Sequence, residues 1–143
     1  MVINRKIADS KESKVAKKNF KTFEDLEIYK RARAFRIEVY KLIKGLPKEE
    51  RYSLDPQMRR SIVSVTNNIA EGHGRYYFQE NIQFCRQSRG SLEEIIDDIN
   101  VCIDEGYGLI THLDKLKIQS YDLLKGINGY IKYLKCEKEK SGV

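Results

Sequence analysis

Few side chains in this sequence of 143 residues could hold a metal ion or act as a nucleophile. Neither His73 nor His112 follows a glutamate by three residues, although Glu-x-x-His pairs are what a di-metal site in a helical bundle requires. Cys85 and Cys102 recur among apolar residues at helical spacing, where cysteine acts as a small hydrophobe. We therefore expect no enzyme activity, no bound metal and no cofactor.

A stretch that could bind phosphate or nucleic-acid bases surrounds the first histidine. Residues 72–75 read G-H-G-R, and backbone N–H groups in such a turn can form an anion nest with Arg75 as the counter-charge. Residues 76–78 are Tyr, Tyr and Phe, and aromatic rings stack on unpaired bases. The structural alternative is a turn in which Gly72 and Gly74 take positive φ, followed by aromatic residues that cap a core. Of the two interpretations, the sequence favours the structural one.

Several polar residues lie among apolar neighbours in the middle of the chain. A polar side chain at the edge of a buried helix face must find partners or lose stability. An antiparallel turn near Gly72 would bring two helices alongside each other, so that Glu94 could meet Arg59 or Arg60. We interpret the set as a polar network that fixes helix register, with a ligand or RNA site as the alternative. Its members are Arg59, Arg60, Asn68, Glu71 and Glu94.

Positive charge is concentrated at the start of the chain. The formal net charge is +6, but residues 1–21 hold seven Lys or Arg residues against only Asp9 and Glu12, so the remainder is almost neutral. Such a segment is most simply a solvated leader, and the alternative is a basic arm that contacts a phosphate backbone. A second basic cluster falls in the first predicted helix. The candidate nucleic-acid-binding residues are Lys14, Lys17, Lys18, Lys21, Lys30, Arg31, Arg33, Arg36 and Arg75.

The second half of the third predicted helix is acidic. In a ring of identical subunits, a head-to-tail contact could set this surface against the basic cluster of the first helix. The residues that this hypothesis pairs are Glu94, Asp97 and Asp98 on one subunit with Arg31, Arg33 and Arg36 on the next.

These residues must be positioned by helices, because apolar residues recur at steps of three and four along most of the chain. Thr22 with Asp25, Asp55 before Pro56, and Thr111 have the spacing of N-caps. The predicted helices run from residue 22 to Gly45, from 55 to 72, from 77 to 105 and from 111 to 135. Short connectors favour an all-α fold, an up-and-down antiparallel four-helix bundle. The predicted organisation is a flexible arm over 1–21, the bundle over 22–135 and a polar tail over 136–143.

A membrane protein or a secreted protein is not expected. The longest uncharged run, residues 61–70, is too short and too polar to span a bilayer. The first residues are basic but lack the apolar core of a secretory signal. We expect a cytoplasmic protein.

Four segments resemble a known family of proteins. They are F-E-D-L-E-I-Y-K at 23–30, R-Y-S-L-x-x-Q-M-R-R at 51–60, N-I-A-E-G-x-G-R at 68–75 and G-S-L-E-E at 90–94. Together they are similar to the small bacterial bundles named for intervening sequences of 23S ribosomal RNA genes, over about residues 22–135. This resemblance implies a ring-shaped homopentamer without enzymatic activity. A related branch includes the accessory protein of diversity-generating retroelements, which binds a reverse transcriptase and its RNA. The basic arm lies before the usual start of the family.

Three functions are compatible with the sequence. The first is an oligomeric, non-catalytic bundle that binds nucleic acid through its basic surfaces, with RNA expected rather than DNA. The second is an accessory subunit of a reverse transcriptase, and the third is a structural bundle that contacts only proteins.

Overall fold

The computed structural model describes residues 21–142, and this part of the chain forms four α-helices and no strand. The helices are α1 (Glu27–Lys44), α2 (Leu54–His73), α3 (Phe78–Glu105) and α4 (Ile110–Ser141). Short 3₁₀ turns at Phe23–Asp25 and Lys48–Glu50 precede α1 and α2. The predicted antiparallel four-helix bundle is confirmed.

The helices are arranged as a square in which each packs against its neighbours in the sequence, and α1 also packs against α4. Helices α1 and α3 therefore occupy diagonal corners. The apolar stripes meet in one core, which contains Phe35 from α1, Met58 and Ile62 from α2, Leu92 from α3 and Leu116 from α4, all fully buried. The pattern of steps of three and four predicted this core, because it places these residues on one face of each helix.

The first helix starts later than the sequence predicted. Thr22 and Asp25 do form a capping box, but it closes the 3₁₀ turn and not an α-helix. The chain is extended at Leu26 (φ −66°, ψ 129°) before α1 begins.

Two of the predicted N-caps are wrong. Asp55 lies inside the first turn of α2, and its carboxylate pairs with Arg59 at 2.6 Å, so it does not cap the helix. Thr111 lies inside α4, whose N-cap residue is Leu109 and has no side-chain bond. At the other end α4 continues to Ser141, beyond the point at which the polar tail was predicted to begin.

The positive φ predicted at Gly72 and Gly74 is also wrong, because positive φ among the described residues occurs only at Gly106, Gly108 and Gly142. Gly72 is helical, and a Cβ atom there would lie 2.6 Å from Asn81 Oδ1 and 3.0 Å from the Cβ of Phe84. Glycine at residue 72 therefore allows α2 and α3 to approach closely just before the turn between them.

The bundle has no helix between residues 21 and 142 that combines the length and the apolar character needed to cross a bilayer. The charged residues that interrupt every helix account for this result.

We predict that Gly72→Ala lowers the free energy of unfolding by about 1–3 kcal/mol, because the added methyl group forces α3 away from α2. The matched control is Gly90→Ala. A Cβ atom at Gly90 would meet nothing within 4 Å, so this change should raise the free energy of unfolding by about 0.5–1 kcal/mol. Denaturant unfolding measures both values. Equal effects of the two substitutions would contradict close packing at Gly72.

Candidate nucleic-acid interface

The basic residues of α1 do not form one continuous surface. Arg31 crosses to α4, where its Nη2 atom donates to the carbonyl oxygen of Asp122 at 2.8 Å. Its guanidinium lies over Gly126, where a Cβ atom would come within 2.6 Å of Nη1. Arg36 turns the other way and donates from Nη1 to Thr66 Oγ1 on α2 at 2.7 Å. Both arginines thus hold neighbouring helices together.

The other basic side chains of α1 face outward. Lys30 and Arg33 are exposed and share the outer face of α1 with Lys41 and Lys44, of which Lys41 pairs with Glu38 at 2.9 Å. This face lies at the corner diagonal to α3, whose residues 93–105 include six acidic side chains and no basic one. The positive and negative surfaces of the bundle therefore point in opposite directions.

Three residues assigned to the basic arm, Lys14, Lys17 and Lys18, lie outside the described residues. Lys21 is described and exposed. The 3₁₀ turn that follows it packs against α1 and α2. The arm consequently joins the bundle at the end that carries the turn between α2 and α3.

The predicted polar network is divided into separate local contacts. Arg59 is held by Asp55, and its guanidinium lies 5.4 Å from the ring centroid of Tyr40. Arg60 is exposed and forms no ion pair with any residue from 21 to 142. Glu94 accepts a hydrogen bond from Ser61 Oγ at 2.8 Å and contacts neither arginine.

The two remaining members of the set bond within α2 or just beyond it. Asn68 donates to the carbonyl oxygen of Ser64 at 2.8 Å. Glu71 accepts from Arg75 Nη2 at 2.8 Å, and the Arg75 guanidinium lies 4.9 Å from the ring centroid of Phe84 on α3. Arg75 is thus near the turn, as the sequence indicated, but without a glycine nest in the left-handed conformation.

Serines take part in three of the four side-chain hydrogen bonds that join α2 and α3 in the described part of the chain, a role that the sequence did not predict. Buried Ser88 donates to the carbonyl oxygen of Val65 at 2.7 Å, and Ser91 Oγ donates to Ser64 Oγ at 2.8 Å. With Ser61 and Glu94 they tie the two helices together at successive turns. The three-residue spacing of Ser61 and Ser64, and of Ser88 and Ser91, is the sequence pattern that could have predicted these contacts.

Asp98 is not part of the acidic surface. Its side chain faces α2 and is 2% exposed, and its Oδ1 accepts from Gln57 Nε2 at 2.8 Å. Its Oδ2 has no hydrogen-bond partner among the described residues. Burial, with the nearby charges of Asp97 and Glu94, raises the pKa of Asp98 to about 6, although the bond from Gln57 acts in the opposite direction.

The contact between subunits of a ring, which was predicted from charge, therefore cannot involve all of the residues that the hypothesis assigned to it. Asp98 is buried within its own subunit, and Arg31 and Arg36 are bonded to α4 and α2. Arg31, Arg33, Glu94 and Asp97 are exposed, although Arg31 bonds to Asp122 and Glu94 bonds to Ser61.

Aromatic residues form a cleft of about 270 Å³ at the end of the bundle where the arm joins. Tyr76 and Tyr77 in the turn between α2 and α3 are 88% and 51% exposed, and their ring centroids are 4.9 Å apart at an interplanar angle of 87°. Helix α4 contributes Tyr130 and Tyr133, which are stacked with centroids 6.1 Å apart. We call the site lined by these four residues the tyrosine cleft.

Side chains outside α4 complete the tyrosine cleft. His73 lines it from the end of α2, Arg75 from the turn that follows, and Leu26 from the segment before α1. Burial raises the pKa of the Tyr130 hydroxyl, which lies beside Asn81. The sequence predicted a role for residues 76–78, but not for Tyr130 or Tyr133, because their spacing on α4 resembles that of any helix surface.

Two of the three thiols are buried in the bundle. Burial raises the pKa of Cys85 and of Cys102 to about 11, so both are protonated at neutral pH. His112 lies 3.7 Å from Glu38. Within residues 21–142, no three His, Cys, Asp or Glu side chains are grouped so as to hold a metal ion.

The fold and surface define a small four-helix bundle with segregated charge and an aromatic end. The sequence profile of the 23S rRNA-intervening sequence proteins matches residues 24–129, and the chain belongs to this family. The predicted relationship is confirmed.

A solved structure shares the same fold. It is the crystal structure of a protein of unknown function from the S23 ribosomal protein family of Bacteroides thetaiotaomicron VPI-5482. The TM-score is 0.68 at 19% sequence identity, and the match covers 73% of this chain and 98% of that chain. No curated protein sequence matches this chain.

We predict that Asp98→Asn stabilises the protein at neutral pH but not in acid. The folded-state pKa of about 6 lies above the ordinary value of 3.8, so the folded state holds its proton more tightly than the unfolded state. The stability of the parent protein therefore falls as the pH rises from about 4 to about 6, by an amount on the order of 3 kcal/mol. Asparagine removes this loss and keeps an acceptor for Gln57.

The measurement is the difference in unfolding free energy between Asp98→Asn and the parent at about pH 4 and about pH 7.5. The control is Asp104→Asn, because Asp104 is an exposed acidic residue of the same helix, six positions from Asp98. A difference for Asp98→Asn that does not change with pH would show that the carboxylate is not destabilised in the folded protein.

Proposed function

We propose that this protein is a non-catalytic, self-associating bundle that binds nucleic acid through its basic arm and the outer face of α1. The expected nucleic acid is RNA rather than DNA. The observation that carries the proposal is the separation of charge between diagonal corners of the bundle. Because α1 and α3 do not share a face, a polyanion can contact the basic corner while the acidic residues point away.

The distribution of charge along the sequence supports the same surface. Residues 1–21 carry most of the net positive charge of the chain, and residues 22–26 connect them to α1. Lys30 and Arg33 add exposed positive charge near the start of that helix. Arg31 and Arg36 are less available, because each donates a hydrogen bond to a neighbouring helix.

The acidic half of α3 limits where a nucleic acid can bind. Exposed carboxylates such as Glu93 and Asp97 repel phosphate at this corner. Self-association and a protein partner such as a reverse transcriptase are compatible with this surface, which basic segments of another chain would complement.

We predict that full-length protein binds fluorescein-labelled single-stranded RNA with a steep dependence on salt. Each phosphate contact adds about 0.7 to the slope of log affinity against log salt. Four contacts would thus weaken binding about 50-fold between about 50 and about 200 mM salt. Replacing Lys14, Lys17 and Lys18 by Gln should reduce the slope by up to about 2, as measured by fluorescence anisotropy.

A matched variant removes the same charge from other exposed positions, with Gln at Lys48, Lys115 and Lys125. It should bind almost as the parent does if the arm makes the contacts. Equal losses in both variants would show that only overall charge matters. Absence of binding at low salt would refute nucleic-acid binding and favour a protein partner or a purely structural role.

A further inference from the structure

Tyr76 presents an aromatic ring to solvent almost completely, in a turn only four residues long between two long helices. Large apolar rings at this level of exposure lose the benefit of burial, whereas Tyr and Trp with one free face are typical of binding sites. Tyr77 is perpendicular to it and half-exposed, so the pair offers two ring faces in different directions.

The α4 side of the tyrosine cleft provides a second aromatic surface. Tyr133 is 55% exposed and stacks on Tyr130, which is partly buried beside Asn81. Tyr130 therefore packs against the ring of Tyr133 on the side that faces the bundle. A planar group that enters the cleft meets tyrosine rings from both the turn and α4.

The charge around the tyrosine cleft favours a polyanion over an acidic or neutral peptide. Among the described residues that line it, none is acidic, and Arg75 and His73 are basic. Arg75 also pairs with Glu71, which lies outside the lining. A second groove of about 440 Å³ between α3 and α4 is lined by Lys135 and Lys138, together with the acidic Glu139. Leu26, five residues after the described and exposed Lys21, also lines the cleft.

The size of the tyrosine cleft suits one planar ring system. Its volume is below the range usual for sites that enclose drug-sized ligands. Stacking of single bases on exposed aromatic side chains, flanked by basic residues that follow the backbone, is how single-stranded nucleic acids are bound without sequence preference. A base paired in a duplex has both faces covered by its neighbours and cannot stack in this way.

We propose that the tyrosine cleft stacks an unpaired base of single-stranded nucleic acid, while Arg75 contacts an adjacent phosphate. This inference rests on the proposed function and makes it more specific, since it selects single strands over duplexes. Tyr76 and Tyr133 are the residues that meet the base, and Tyr130 is a supporting residue.

The test compares binding of labelled oligo-uridine and of a labelled duplex RNA by the full-length protein in fluorescence anisotropy. Tyr76→Ala and Tyr133→Ala should each weaken oligo-uridine binding by about 5- to 150-fold, because stacking of one base supplies this range. Duplex binding and the salt slope should not change, since no phosphate contact is removed. Tyr76→Phe and Tyr133→Phe should keep the affinity of the parent, because they keep the ring.

The matched control is Tyr52→Ala. Tyr52 is 87% exposed, almost the same as Tyr76, but it lies in the connector between α1 and α2 at the opposite end of the bundle. It should leave binding unchanged. Thermal unfolding of each variant checks that the fold is intact. Because the ring of Tyr76 is exposed, it does not contribute to the stability of the fold.

A spectroscopic signal tests stacking directly. An oligonucleotide that contains 2-aminopurine loses fluorescence when that base stacks, and the loss should be smaller with Tyr76→Ala or Tyr133→Ala at saturating protein. Arm-dependent RNA binding that the tyrosine variants leave intact would overturn this inference but not the proposed function. Equal losses for single strands and duplexes would also overturn it. Absence of RNA binding by the parent protein would overturn both.

Discussion

The rest of the structure depends on the close packing of α2 against α3. Gly72 removes the side chain that would collide with Asn81, and serines at successive turns satisfy polar groups between the two helices. A helix pair held this closely can reverse direction within four residues, and that short turn projects Tyr76 and Tyr77 away from the core. Packing in the interior thus sets the position of the exposed aromatic end.

The square arrangement also determines how charge is distributed. Helices that are neighbours in sequence are neighbours in space, so α1 and α3 must lie on opposite corners. The basic residues of the first helix and the acidic residues of the third are therefore kept apart within one subunit. Arg31 and Arg36 show a second use of positive charge, because each bonds to an adjacent helix and fixes α1 against it.

Asp98 marks a place where burial costs stability. A carboxylate with one hydrogen bond and one unpartnered oxygen is stable in a helix interface only when it holds a proton or when the surrounding packing offsets the cost. Its neighbours on α3 are acidic as well, which increases the cost of ionisation. By contrast, Cys85 and Cys102 are buried without such a penalty, since the protonated thiol is neutral and apolar.

The sequence by itself determined the number of helices, their approximate bounds and the residues of the core. A period of 3.6 residues is a local property, so the buried face of each helix can be found without knowledge of its partners. Only the tertiary structure decided which polar side chains meet: Glu94 contacts Ser61 and not an arginine, Asp98 faces inward, and Gly72 serves close packing where a turn was predicted. These outcomes depend on the rotation and offset of one helix against another, which differ by a few ångströms between arrangements that share the same periodicity. The tyrosine cleft also depends on how the helices are arranged. Residues 76 and 77 meet Tyr130 and Tyr133 because the end of α2 and the last third of α4 lie at the same end of the bundle.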